Sequence, residues 1–167
     1  RAHVSSYVDL MGNIVHHFDI PSEHTELVVT AQAIVEFVGD NDLATPATTP
    51  MEAWRDIEAA TQTADAWEMI RPSAFVRETP LLQEFAKSLD IDRGMDPGSV
   101  VMALASAVHQ SFEYKTAATR VDSPIDEALA SRKGVCQDFA HILIALLRRV
   151  GVPARYVSGY LFHSRGE

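Results

Sequence analysis

The apolar positions of the chain change period once. Residues 4–10 and 14–20 are short runs rich in β-branched and aromatic side chains, separated by Met11-Gly12-Asn13. They predict a hairpin turning at Gly12-Asn13. Pro21-Ser22-Glu23-His24 reads as a second turn. Residues 27–38, with Val28, Val29, Thr30, Ile34, Val35 and Val38, read as a longer strand. A Pro-, Thr- and Asp-rich stretch over 39–50 is the expected domain boundary. From Met51 the spacing becomes helical. A helix is expected over 50–61, carrying Trp54, Ile57 and Glu58, and then a short turn over 66–70 ended by Pro72. Thr79-Pro80 and Asp96-Pro97 are start signals, a capping side chain followed by a proline in the first turn. Leu81, Leu82, Phe85 and Leu89 form the buried stripe of the first helix. Val100, Val101, Leu104, Val108 and Phe112 form that of the second, which is expected to reach Tyr114. Ser123-Pro124 repeats the device before a short helix over 125–130.

The last helix carries chemistry as well as core. Phe139, Ile142, Leu143, Leu146, Leu147 and Val150 recur at helical spacing. Gly151 stops the helix, Pro153 prevents its resumption, and a short strand is expected to follow. The helix opens on Cys136, directly after Gly134-Val135. A thiol in a first turn faces unpaired backbone N–H groups and the positive end of the helix dipole, which favour thiolate over thiol. The same N–H groups can receive the oxygen that turns negative when a thiolate attacks a carbonyl. Against this stands the plainer reading of Cys136 as a small buried apolar residue.

Composition narrows the partners. Apolar residues make up 47% of the 167 and charged ones 22%, values of a folded globular chain. The net charge of −9 repels nucleic acid and anionic membrane surfaces, so neither is expected as a partner. A single cysteine excludes an internal disulfide and any zinc site built from thiolates. His16 and His17 are adjacent on a strand, point to opposite faces and cannot chelate one ion. No metal or other cofactor is expected. No apolar run is long enough to span a membrane and no signal peptide opens the chain, although it starts at Arg1, so the cytoplasm is the expected compartment.

Arg132-Lys133-Gly134-Val135-Cys136-Gln137-Asp138-Phe139-Ala140-His141, the run Leu146-Leu147-Arg148, and Gly151-Val152-Pro153-Ala154-Arg155-Tyr156-Val157-Ser158-Gly159-Tyr160 resemble the bacterial transglutaminase-like cysteine peptidases nearly residue for residue. The β-rich start resembles the small module that precedes the catalytic core in that family. The resemblance implies an α+β fold, a papain-like, transglutaminase-like core with helices packed on an antiparallel sheet. Residues 1–45 would be the N-terminal module and residues 46–167 the core, incomplete at its C-terminal end. It implies that Cys136 is the nucleophile of a Cys-His-Asp triad, that Gln137 and Tyr114 line the site or its oxyanion pocket, and that Asp138 is structural.

The family's catalytic histidine lies in a His-Ala-Trp motif well beyond the Gly159-Tyr160 strand, and its acid further on still. Neither is reached by Glu167. Within the chain, His141 sits five residues after Cys136 on the same helix and rotates away from the sulfur, which leaves it a solvated or supporting role. His109 is mid-helix, and His163 is the local candidate by position. The implied reaction is thioester acyl transfer on a peptide or protein substrate, resolved by water or by a second amine; the family's bacterial members favour water. The alternative is a non-catalytic papain-like module that binds a peptide or a partner, or a chain to which another subunit supplies the histidine. An incomplete core would expose apolar surface, which leaves homo-oligomerisation open.

Overall fold

The computed structural model describes residues 3–9, 12–30, 32, 34 and 49–159. Contacts divide the chain into two compact units, Arg1–Asp42 and Leu43–Glu167.

In the first unit β1 (His3–Val8) pairs antiparallel with β2 (Ile14–Asp19), Val8 opposite Ile14 and His3 opposite Asp19. The turn falls at Gly12-Asn13 as its residues imply. Gly12 takes φ +81°, which a side chain would resist. Asp9 fastens the turn from the other strand end: its carboxylate accepts from the Asn13 N–H at 2.8 Å and the Asn13 Nδ2 at 2.9 Å. His16 and His17 are both exposed, and His16 Nδ1 lies 2.7 Å from the Ser6 hydroxyl across the pair. The strand expected over 27–38 does not form at residues 27–30, 32 or 34, which have no third strand to pair with among the described residues. Its other positions, and the expected loop at 39–48, lie outside the described residues.

The second unit is built around one helix. In chain order it contains α1 (Pro50–Ala60), α2 (Ala64–Glu68), α3 (Pro80–Leu89), α4 (Pro97–Ser111), β3 (Glu113–Tyr114), α5 (Ile125–Ser131), β4 (Lys133–Gly134) and α6 (Cys136–Val150). Helices α3, α4 and α5 all contact α6. Leu82 and Phe85 of α3, Val100, Leu104 and Val108 of α4, and Ile125, Ala128 and Leu129 of α5 converge on Ile142, Ala145 and Leu146 of α6 in one apolar cluster. Each Val, Leu, Ile or Phe side chain among them, fully buried, contributes about 1.5–3 kcal/mol. The cluster is therefore what holds α6 in place.

The start signals divide into two kinds. Thr79 Oγ1 accepts from the Leu82 N–H at 3.2 Å and Asp96 Oδ1 from the Ser99 N–H at 3.0 Å, each with proline at the next position. Ser123 does not cap α5. Pro124 itself takes the cap position, and the Ser123 hydroxyl instead donates to Glu127 Oε2 at 2.7 Å and accepts from the Arg120 N–H at 3.0 Å. Thr49 and Glu52 form a reciprocal capping box on α1. Leu81 is 38% exposed rather than part of the buried stripe, because Leu82 takes the inward position in the first turn of α3.

The fold class is mixed α and β with a small antiparallel sheet, as the resemblance implies, and that sheet is the hairpin of the first unit. In the second unit the described strands β3 and β4 pair in parallel, and the helices pack on one another. Helix α4 ends at Ser111 rather than Tyr114, because Phe112 turns extended (φ −129°, ψ 141°) to lead into β3. Residues 152–159 form no strand. Ala154 N–H bonds to the Met69 carbonyl at 3.0 Å, and the stretch has no ladder partner among the described residues.

Candidate active site

The start of α6 is assembled from three pieces of chain. Arg132, the C-cap of α5, takes a left-handed conformation (φ +56°) and lays its guanidinium over the rings of Phe85 and Phe112, 4.6 and 5.3 Å from their centroids. The chain then runs as β4 beside β3, with Glu113 opposite Lys133 and Tyr114 opposite Gly134. Two residues later α6 begins.

The ladder fixes which side Tyr114 is on. Paired residues share a face of the sheet. One face carries the ion pair from Lys133 Nζ to Glu113 Oε2 at 3.2 Å. On the other, a Cβ built at Gly134 would lie 2.8 Å from Asp138 Oδ2 and 3.1 Å from Phe139 Cε1, inside the first turn of α6. Tyr114 therefore shares the face of Gly134 that looks toward Asp138 and Phe139, and it is 62% exposed.

Cys136 occupies the first position of α6 and is exposed, so the plain reading of a buried apolar cysteine does not hold. Asp138, two residues on, is 3% exposed, and its Oδ2 accepts from the Val135 N–H at 2.8 Å and from the Thr119 hydroxyl. The Val135 side chain has no acceptor to offer as a cap, and the Asp138 carboxylate instead takes the Val135 N–H from inside the helix. The first intrahelical bond runs from the Phe139 N–H to the Val135 carbonyl at 3.2 Å. The N–H groups of Cys136, Gln137 and Asp138 are those that a helix start leaves without an intrahelical acceptor. The Gln137 Nε2 donates to the Val121 carbonyl at 2.9 Å. Gln137 thus ties down the loop between β3 and α5.

His141 is neither solvated nor near the sulfur along the helix. Five positions place it about 140° around and about 7.5 Å along from Cys136. It is 7% exposed, stacked on Phe75 (5.5 Å between centroids, 13° between planes) and tilted against Tyr156 at 5.3 Å. Burial pulls its pKa below the ordinary histidine value, against the nearby Asp138 carboxylate, which pushes the other way. Its packing partners come from irregular segments, where no periodicity in the sequence announces them. His109 is exposed on α4, and His163 lies outside the described residues. Among the described residues no cluster of His, Cys, Asp or Glu could hold a metal ion. A hollow lined by Ile70, Pro72, Val76, Ala145, Arg148 and Arg149 faces the far half of α6, more than two turns from Cys136. No helix among the described residues is long and apolar enough to cross a membrane.

A helix that presents an exposed thiol in its first turn, behind a glycine and a short parallel ladder, defines a class, and comparison with known proteins gives that class its family. Residues 84–166 match the transglutaminase-like superfamily, and residues 1–36 match the bacterial transglutaminase-like N-terminal region. The chain belongs to the transglutaminase-like superfamily. An uncharacterized protein of Mycobacterium leprae is 32% identical over 159 residues, 95% of this chain and 54% of its own length. One of Mycobacterium bovis is 32% identical over 157 residues, 92% of this chain and 49% of its own. The chain thus spans about half the length of these curated relatives. A crystal structure titled as a "putative cysteine protease" from Cytophaga hutchinsonii is similar over 57% of this chain and 32% of its own, at 24% identity and a TM-score of 0.47.

Proposed function

We propose that Cys136 is the nucleophile of a thioester acyl transfer on a peptide or protein amide, a cysteine peptidase or amidase reaction. The observation that carries this reading is the exposed Cys136 sulfur at the first position of a rigidly packed helix, beside backbone N–H groups with no intrahelical acceptor. The thiolate attacks the amide carbonyl carbon, and the carbonyl oxygen becomes an oxyanion held by N–H groups of the first turn. Collapse expels the amine, which takes up a proton, and leaves the acyl group on sulfur as a thioester. Water then releases the acid and restores the thiol. The histidine that moves these protons, and the acid that orients it, come from outside the described residues. Tyr114 lines the acyl side of the site, and Gln137 holds the loop beside it. No cofactor takes part.

The test is made on the full-length protein. Iodoacetamide at neutral pH should carbamidomethylate Cys136 without denaturant, as located by peptide mapping. Cys136→Ala should lose both this labelling and all amidase turnover on a peptide library while keeping its thermal transition. Undiminished turnover in Cys136→Ala would overturn the nucleophile assignment. Labelling of the native protein without turnover of any peptide would instead favour the binding-module reading.

A further inference from the structure

We infer that Thr119 is a positioning residue for the Cys136 turn, and that the loop of residues 115–122 acts through it as a clasp on the nucleophile. The inference rests on the nucleophile reading above. Three connections join this loop to the start of α6. Lys115 N–H donates to the Gly134 carbonyl at 2.9 Å, Gln137 Nε2 donates to the Val121 carbonyl at 2.9 Å, and the Thr119 hydroxyl donates to Asp138 Oδ2. The third connection differs from the other two. Asp138 Oδ2 is the same atom that accepts the Val135 N–H at 2.8 Å, and that bond sets how the chain turns into α6 one residue before the sulfur.

Gly134 shows how little freedom this oxygen has. Even a methyl group there would come within 2.8 Å of it. The loop also holds a backbone conformation of its own that side chains resist, since Ala117 takes φ +58°. A strained residue persists where its surroundings over-determine it. Here the surroundings are the bonds just named, with the Ala118 N–H to Lys115 carbonyl turn at 3.3 Å. Thr119 is thus the one side chain through which the loop reaches the carboxylate under the nucleophile. Its hydroxyl proton orients Asp138 Oδ2 toward the Val135 N–H and so fixes the turn that carries Cys136.

The experiment measures the second-order rate of Cys136 alkylation by iodoacetamide at one pH, by mass spectrometry of the Cys136 peptide, in the full-length protein, alongside the urea midpoint. Thr119→Val keeps the shape of the side chain and removes the donor; it should slow alkylation by about threefold to tenfold. Thr119→Ser should restore the rate to within about twofold. A hydroxyl that only supports the fold would lower the urea midpoint of Thr119→Val and leave the alkylation rate of the folded protein unchanged. That result overturns the inference, as does a failure of Thr119→Ser to rescue. If Thr119→Val does not fold, amide exchange of the wild type decides. The Val135 and Lys115 amides, bonded on either side of the clasp, should exchange with one common opening rate, and independent rates overturn the inference. Loss of turnover in Cys136→Ala with unchanged alkylation in Thr119→Val rejects the clasp alone. Undiminished turnover in Cys136→Ala rejects the nucleophile reading and the clasp with it.

Discussion

The guanidinium of Arg93 fills the space where a side chain at Gly151 would stand: a Cβ built on Gly151 would lie 2.0 Å from Arg93 Nη2. Arg93 is held there from three sides. Its Nε donates to the Val150 carbonyl at 2.7 Å, its guanidinium pairs with Glu58, and it covers the Trp54 ring at 4.8 Å. A cation thereby caps the carbonyl end of α6 and joins it to α1. Gly151 at φ +92° has the conformation that ends the helix. Gly151→Ala should destabilise the protein by about 1–2 kcal/mol from the backbone alone, and by more if Arg93 is displaced. Urea denaturation of the variant, with Arg93→Ala and the double variant completing a cycle, measures both parts. Additive single effects would show that the two residues do not share the space.

Gly134→Ala tests the other end of the same helix. The new methyl group meets Asp138 Oδ2, Asp138 Cβ and Phe139 Cε1, all within 3.1 Å. The expected cost is about 1–3 kcal/mol, the range for overpacking a filled site. Alkylation of Cys136 should change as well, because the atoms displaced are those that hold its turn. A variant as stable as wild type would mean that β4 can slide away from α6.

Ala117 gives a prediction of opposite character. Replacing it with glycine relieves a left-handed alanine but frees the unfolded chain, two effects of about 1 kcal/mol each that nearly cancel. Ala117→Gly should therefore match wild type in thermal unfolding, whereas Ala117→Val should lose at least about 1 kcal/mol, since a β-branched residue resists positive φ more strongly. Equal stability of Ala117→Val and wild type would rule out φ +58° as the working conformation.

His141 makes stability depend on pH. Its pKa is lowered on folding by burial, with Asp138 in partial opposition. Between the lowered value and the ordinary value of 6.5, the unfolded chain binds more protons than the folded one. Stability is thus fully present above this window and falls as pH drops through it, then levels off below the folded pKa. The carboxylates with lowered pKa values, Glu52 and Asp96, lose their contribution only at more acidic pH. The urea midpoint should decline from pH 7.5 toward pH 5.5, and His141→Gln should flatten that decline. A midpoint with the same slope in both proteins would assign the effect elsewhere.

Much of the core was legible because it is periodic. Val100, Leu104 and Val108, or Ile142 and Leu146, recur at a spacing that only a one-sided helix produces, and Thr79-Pro80 and Asp96-Pro97 mark the starts of α3 and α4 by side-chain chemistry. Ser123-Pro124 has the same letters and a different outcome, because nothing in an Xaa-Pro pair says whether the proline stands at the cap or one residue inside. The Thr49-to-Glu52 capping box is absent from the sequence reading, although its Thr-x-x-Glu spacing is a start signal. The ladder of β3 and β4 is too short to show a period. At the site, Cys136 was readable from its place at a helix start. Thr119 was not, since a threonine in a loop looks the same whether or not a buried carboxylate waits across from it. That His141 is buried rather than solvated was not readable for a related reason: its position on α6 could be computed, but Phe75 and Tyr156, which enclose it, come from segments without repeat.

One arginine determines how the chain leaves α6. Arg148 donates through Nε and Nη2 to the Ala154 carbonyl, at 3.0 and 2.7 Å, and through Nη1 to the Arg71 carbonyl. In a β-ladder the grip on a strand is spread over many amides and is lost only by peeling. Here the Arg148 guanidinium shares the grip with the backbone bond at Ala154, the apolar packing of Val152 and Ala154 and the Tyr156 ring against His141. Over residues 152–159 the chain is moored at separate points rather than woven into a ladder, so its hold on the helices is set by a few side chains and not by a row of amides.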